Sequence, residues 1–236
     1  MFPKASGPTA LPMVRRSAKN ASFSGPGLDI IIRKPLDQTA FLCNHGGKLF
    51  KGLFTTMKQE SIDNFAILDF EASSLSGDSW PIEIGLSWID GGAVQTWSSL
   101  ICPATGWDLA DWSPQSAAVH NILFSNLMLA PSVANVMQAF LKALGARCLV
   151  SDAPEFETRW LIKLFRADGS EEIPPVADYH EISSKLYSGY ALDMLYEALE
   201  RRAAPHRAGP DSARLANGWL KAAKHQDSTE QKGMIS

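Results

Sequence analysis

The chain changes texture near residue 60. Upstream, Gly, Pro, Ser and Lys are scattered among apolar residues without a sustained period, and only LDIIIRK (Leu28 to Lys34) has the make-up of a short strand. From Ser61 onward the runs become regular. NFAILDFE and PIEIGLSWID are short, mostly apolar segments separated by the turn residues Ser-Gly-Asp-Ser. Gly91-Gly92 then turns the chain into VQTWSSLICP, so the three segments predict an antiparallel meander.

Helical signals follow. SPQSAAVHNI opens with Ser113 as N-cap and Pro114 at the first helical position. SVANVMQAFLKAL carries a helical stripe of Val133, Val136, Met137, Phe140, Leu141 and Leu144, which Gly145 ends. RCLVSD is a continuous apolar run, suited to a strand covered on both faces. PEFETRWLIKLF, ALDMLYEALERR and PDSARLANGWLKAAK read as three further helices, the first and last opened by Pro, and the chain after Lys224 reads as a loose polar tail. Strands first, then helices alternating with a returning strand, predict an α/β sheet with helices packed on it. No internal repeat is visible. The expected organisation is a basic, poorly ordered extension over 1–60, one domain over 61–225 and a polar tail over 226–236.

With 236 residues, 45% of them hydrophobic, one sizeable core is affordable. No apolar run approaches the roughly 18 residues of a membrane helix. Charge is unevenly placed: residues 1–60 hold nine basic and three acidic side chains, the remainder 13 and 22. A basic arm on an acidic body suits a polyanion-binding segment, an acidic site that needs cations, or simply a solvated surface with a loose leader. The acid-free, Ser-rich stretch Met1 to Leu28 reads either as a leader of the transit-peptide kind or as a loose extension. Cys43, Cys102 and Cys148 form no CxxC or Cys/His cluster, so they read as reduced packing residues in a cytoplasmic protein.

Candidate chemistry starts in the first predicted strand. Residues i and i+2 of a strand share a face, so Asp69 and Glu71 point one way while Leu68 and Phe70 point the other. Two adjacent carboxylates on one face are either solvated at a sheet edge or compensated by a divalent cation, which prefers oxygen ligands. More acids follow. Asp152 and Glu157 fall at the end of the fourth strand and in the next helix, where open α/β sheets place ligands. His206 and Asp211 fall in a loop and in the first turn of the last helix, with Gly209-Pro210 bending the chain between them. Singly, each has an ordinary explanation as a cap, a first-turn acid or a loop histidine. Glu83 shares the face of neither Ile82 nor Ile84 and reads as an exposed or supporting carboxylate.

In this order the blocks resemble the DEDDh branch of the DEDD exonuclease superfamily, the ribonuclease T and proofreading-subunit type, over residues 63–222. Asp69-Phe70-Glu71 matches its first motif, and His206 to Asp211, 135 residues after Glu71, matches its third, with Ser212 where the family usually has Ala. WSPQSAAVHNI resembles the family segment ending His-Gly-Ile, with Asn121 in place of Gly. The second motif departs, because Phe156 to Leu161 puts Glu157 where the family has Asp and so moves the carboxylate by about 1.5 Å. Either the site accepts Glu157, or Asp152 takes its place, or activity is impaired.

The resemblance implies a ribonuclease H-like mixed sheet and a metal-dependent 3′-to-5′ exonuclease acting on single-stranded RNA or DNA ends. Asp69, Glu71, Glu157 and Asp211 would hold two divalent cations, Mg²⁺ or Mn²⁺, with His206 as general base. Ala72, Ser73, Ser74, Leu75 and His120 would meet the 3′-terminal nucleotide, Leu75 as a wedge. Trp80, Trp88, Trp97 and Trp112 would stack on bases or pack in the core. The alternative is a catalytically weak nuclease-fold module that binds nucleic-acid ends. Homodimerisation belongs to the implied properties, and membrane association does not.

Overall fold

The computed structural model describes residues 61–233, with side chains through 226; the expected arm, LDIIIRK included, lies outside the described residues. Among the described residues, five strands form one mixed sheet in the order β3-β2-β1-β4-β5. The predicted meander is β1 (Phe65–Ala72), β2 (Pro81–Asp90) and β3 (Ala93–Leu100), paired antiparallel. Gly91 and Gly92 turn its second hairpin at φ +57° and +75°, a conformation that costs glycine little. β4 (Cys148–Ser151) joins β1 in parallel, and β5 (Val176–Asp178) joins β4 in parallel.

The helices among the described residues are α1 (Pro114–His120), α2 (Phe124–Leu127), α3 (Val133–Leu144), α4 (Pro154–Ala167), α5 (Tyr179–Leu186), α6 (Gly189–Glu200) and α7 (Ala208–Gly233). They cover both faces of the sheet. Ala66, Leu68, Phe70 and Ala72 of β1 pack with Val136, Met137 and Phe140 of α3 and Leu161 and Leu164 of α4. Phe65 and Ile67 point the opposite way, into a second core with Tyr179, Leu195, Leu215 and Trp219 from α5, α6 and α7. A third cluster, Trp80, Ile82, Ile122 and Leu127, sits beneath α1 and α2 and takes in Trp107, Trp112 and Phe124. The tryptophans considered for base stacking are thus packing residues: Trp80 is fully buried, stacked on Trp107, while Trp88 and Trp97 pack against the first core.

Several boundaries differ from expectation. β5 and α5 escape a periodicity reading because a three-residue strand and an eight-residue helix are too short for a pattern to repeat. Asp178 starts α5 by accepting the His180 and Glu181 backbone N–H groups. α7 begins at Ala208, so Pro210 is its third residue, and Gly209-Pro210 lies inside the first turn instead of bending a loop. Its backbone continues as helix to Gly233, through much of the expected tail. Cys102 is free, and Cys43 lies outside the described residues. No helix among the described residues is long and apolar enough to cross a membrane.

Candidate active site

Asp69 and Glu71 continue the face of β1 that starts with Phe65 and Ile67, beyond the point where its pairing with β4 stops at Ile67–Val150. A register shift between Glu71 and Ala72 ends the regular ladder with β2, the kind of irregularity that re-aims side chains beside functional sites. Asp211 comes to the same place from the first turn of α7. Carboxylate oxygens of Asp69, Glu71 and Asp211 all lie within 4.8 Å of one another. What lets α7 approach so closely is a glycine. Gly85 is the cross-strand partner of Asp69, and a Cβ there would lie 2.2 Å from the Ala208 carbonyl carbon and oxygen.

Glu157, near the start of α4, is buried at 4% exposure, and its Oε2 has no hydrogen-bond partner among the described residues. Burial pushes its pKa well above the ordinary carboxylate range, with the charges of Asp69, Asp152 and Glu71 adding to the shift, but it is not among the three acids that meet within 4.8 Å of one another. Asp69 is likewise pushed well up, first by burial and then by Glu71 and Asp211. Glu71 is raised to about 7, by burial and by Asp211 and Glu83, with Arg207 pulling the other way. Asp152 is more exposed, and its neighbouring charges include Arg214, His180 and Asp211. Asp211 Oδ1 has no hydrogen-bond partner among the described residues, although Arg214 Nε stands 3.7 Å from it as an ion pair. Mutual repulsion among crowded, desolvated acids with unpaired oxygens is relieved by protons or by a hard cation bound through oxygen. The donor set therefore fits a divalent metal ion.

Sequence reasoning missed what holds the Asp211 turn. Glu83, across from Glu71 and buried, receives Arg207 Nε at 2.9 Å, Arg207 Nη2 at 2.7 Å and the Ala208 backbone N–H at 3.0 Å. Arg207 in turn donates its backbone N–H to Asp211 Oδ2 at 3.1 Å. The only signal was a carboxylate set between Ile82 and Ile84 in a mostly apolar strand. His206, just before this clamp, is exposed and holds a left-handed backbone at φ +56°. Ser212, the departure from Ala, is buried in a hydroxyl chain: it donates to the Gly209 carbonyl at 2.9 Å and pairs with Ser87 Oγ at 2.9 Å, which meets Thr96 Oγ1 at 2.8 Å.

The segment after β1 is more structural than its sequence indicates. Ala72 faces the first core. Ser73 is fully buried, its Oγ accepting the Trp80 N–H at 3.0 Å and its backbone N–H bonding the Trp80 carbonyl. Ser74 donates to Asp111 Oδ2 at 3.0 Å, and Ser76 shares that acceptor. Leu75, between them, is 72% exposed at the tip of this fastened loop. His120 ends α1, 2% exposed and edge-on to Trp112; its Nδ1 accepts the Ile122 N–H, and its buried Nε2 has no partner among the described residues. Burial lowers its pKa, so the neutral ring carries its proton on Nε2. Asn121 adopts φ +56° as the C-cap of α1, a left-handed position that glycine or asparagine tolerates, which accounts for Asn in place of Gly.

No family model matches the chain, and no curated protein matches it in sequence. Solved structures do match in fold. The nuclease domain of 3′hExo, described as a DEDDh family member bound to rAMP, superposes with a TM-score of 0.53 at 17% identity, covering 71% of this chain and 95% of that one. A full-length 3′-exonuclease gives 0.51 at 16% identity, covering 72% and 84%. A 3′-exonuclease described in 3′-end specific recognition of histone mRNA stem-loop gives 0.51 at 17% identity, covering 71% and 84%. The chain therefore shares the ribonuclease H-like fold of these exonucleases.

Proposed function

We propose that this chain is a metal-dependent 3′-to-5′ exonuclease of the DEDDh type, removing nucleoside monophosphates from single-stranded RNA or DNA. The observation that carries this reading is the meeting of Asp69, Glu71 and Asp211 within 4.8 Å, from a strand and a distant helix turn, on a fold shared with 3′-exonucleases. Asp69, Glu71, Glu157 and Asp211 would hold two divalent cations, Mg²⁺ or Mn²⁺, which when bound supply Lewis-acid stabilisation for phosphodiester hydrolysis.

The chain's own residues account for the rest. His206, exposed on the segment leading into α7, takes the proton of the attacking water on an imidazole nitrogen. The water oxygen bonds to phosphorus as the bond from phosphorus to the 3′-oxygen of the remaining strand breaks. His120 offers its buried Nε2–H to the terminal nucleotide. Leu75, projecting from a loop fastened by Asp111, lies against the terminal base. Ala72, Ser73 and Ser74 shape the wall that carries it. Glu157 is buried with an oxygen that has no hydrogen-bond partner among the described residues and feels the charge of Asp69, which supports it over the more exposed Asp152 as the fourth ligand.

The test is digestion of 5′-labelled single-stranded RNA and DNA oligonucleotides with Mn²⁺, Mg²⁺ or EDTA, using wild type, Asp69→Asn and Glu157→Asp. A ladder shortening from the 3′ end, abolished by EDTA and by Asp69→Asn, is expected, and the faster substrate names the class. Binding without a ladder would replace this reading with that of an end-binding module.

A further inference from the structure

Glu83 is a sixth carboxylate in this region, outside the proposed ligand set, yet it is among the most deeply buried charges of the described residues at 3% exposure. Its two oxygens take three donors: Arg207 Nη2 at 2.7 Å, Arg207 Nε at 2.9 Å and the Ala208 N–H at 3.0 Å. A two-pronged arginine–carboxylate pair fixes both position and plane, and the third bond fixes the backbone where α7 begins. Arg207 has other acids to choose from. Its charge acts on Glu71, in opposition to Asp211 and Glu83, and its own backbone N–H sits on Asp211 Oδ2. A guanidinium released from Glu83 has two acids close by, Glu71 as the cross-strand partner of Glu83 and Asp211 as the acceptor of the Arg207 backbone N–H. It would then bring a fixed positive charge to the acids that otherwise receive a metal ion.

We propose that Glu83 is a positioning residue that ties the His206–Arg207–Ala208 segment to β2 and keeps the Arg207 guanidinium off Glu71 and Asp211, leaving those acids open to a divalent cation. The inference rests on the metal-dependent reading above. Supporting groups of this kind, one layer behind metal-binding side chains, typically change metal affinity 10- to 100-fold when altered. The cross-strand pairing explains the arrangement: Glu71 and Glu83 sit opposite each other, so β1 presents the ligand while β2 presents the group that disposes of its competitor.

The test is a Mn²⁺ titration of the full chain by calorimetry and thermal shift, for wild type, Glu83→Gln, Arg207→Gln and the double variant. Steady-state kinetics on an oligonucleotide accompany it. Glu83→Gln keeps the side-chain shape and an acceptor for the Ala208 N–H. Its half-saturating Mn²⁺ concentration should rise about tenfold or more, with kcat falling and KM for the oligonucleotide unchanged. Adding Arg207→Gln should return the Mn²⁺ half-saturation to within a few-fold of wild type, a rescue that a purely structural role for Glu83 would not give. Unchanged Mn²⁺ binding in Glu83→Gln, or a double variant no better than the single one, overturns the inference while leaving the metal reading intact. A wild type that binds no Mn²⁺ overturns both. Should Glu83→Gln not fold, Arg207→Gln decides alone: binding as tight as wild type or tighter supports the inference, and weaker binding overturns it.

Discussion

His206 shows how a single residue can be poor for stability and still suit the site. It is exposed, makes no side-chain hydrogen bond among the described residues, and holds a positive φ that disfavours any side chain. Strain of this kind costs of order 1–3 kcal/mol outside glycine, offset in part by glycine's larger entropy loss. His206→Gly should therefore melt at or slightly above the wild-type temperature, while kcat falls about 10²- to 10⁴-fold, the usual contribution of a positioned general base. A clear loss of stability, measured by thermal unfolding, would show that the histidine side chain supports the fold. Glu157 gives the complementary case. Its carboxylate is buried and repelled by Asp69, Asp152 and Glu71. Glu157→Gln should thus raise the metal-free melting temperature at pH 8 and abolish hydrolysis, because the amide no longer repels its neighbours and no longer binds cations well.

At the level of elements, the site depends on how closely α7 can lie on the sheet. Gly85 on β2 faces the Ala208–Gly209 backbone, and Gly209 faces Ser98 on β3 in the same contact. A methyl group at residue 85 meets backbone atoms, which cannot swing aside as a side chain does. Gly85→Ala should displace the start of α7, costing about 1–3 kcal/mol as overpacked sites do, with a disproportionate loss of activity because Asp211 and His206 move together. Gly218→Ala, farther along α7 against the Leu199 side chain and the Tyr179 hydroxyl, should lower stability with kcat retained, since no proposed ligand sits there. The sequence made the long elements legible: β1, β2, α3 and α4 carry enough apolar repeats for the period to show. Period two also placed Asp69 and Glu71 on one face. The Glu83–Arg207 clamp and the Ser87–Ser212 bond were not legible, because their partners stand 124 and 125 residues apart and only the seating of α7 unites them. The fastening of the serines after β1 was hidden for the same reason: Asp111, which holds Ser74 and Ser76, is supplied from 37 and 35 residues away.

For the molecule as a whole, these acids make stability, pH and metal binding one linked problem. Glu71 ionises near 4.5 as an ordinary side chain but at about 7 in the folded chain, and Asp69 and Glu157 are shifted in the same direction. Between the two values the folded state binds more protons than the unfolded state, so stability must fall as pH rises through that window. Below about pH 4.5 Glu71 adds no penalty. Above about pH 7 its penalty is fully present, roughly 3 kcal/mol for a shift of this size. Metal-free protein in EDTA should accordingly melt at a higher temperature at pH 5.5 than at pH 8, the reverse of a protein whose acids are stabilised by ion pairs. Mn²⁺ should invert the order. Binding requires deprotonated carboxylates, so affinity should strengthen as pH rises towards 8, and saturating metal should then raise the melting temperature most where the metal-free chain is weakest. Asp69→Asn removes one of the repelling charges, so its metal-free profile should be flatter and its response to Mn²⁺ much smaller. Thermal unfolding of both proteins across this pH range, with and without Mn²⁺, separates the possibilities. A wild-type melting temperature that climbs steadily from pH 5.5 to 8 in EDTA would mean that the cluster is neutralised within the protein itself, and the case for a metal ion at Asp69, Glu71 and Asp211 would lose its electrostatic basis.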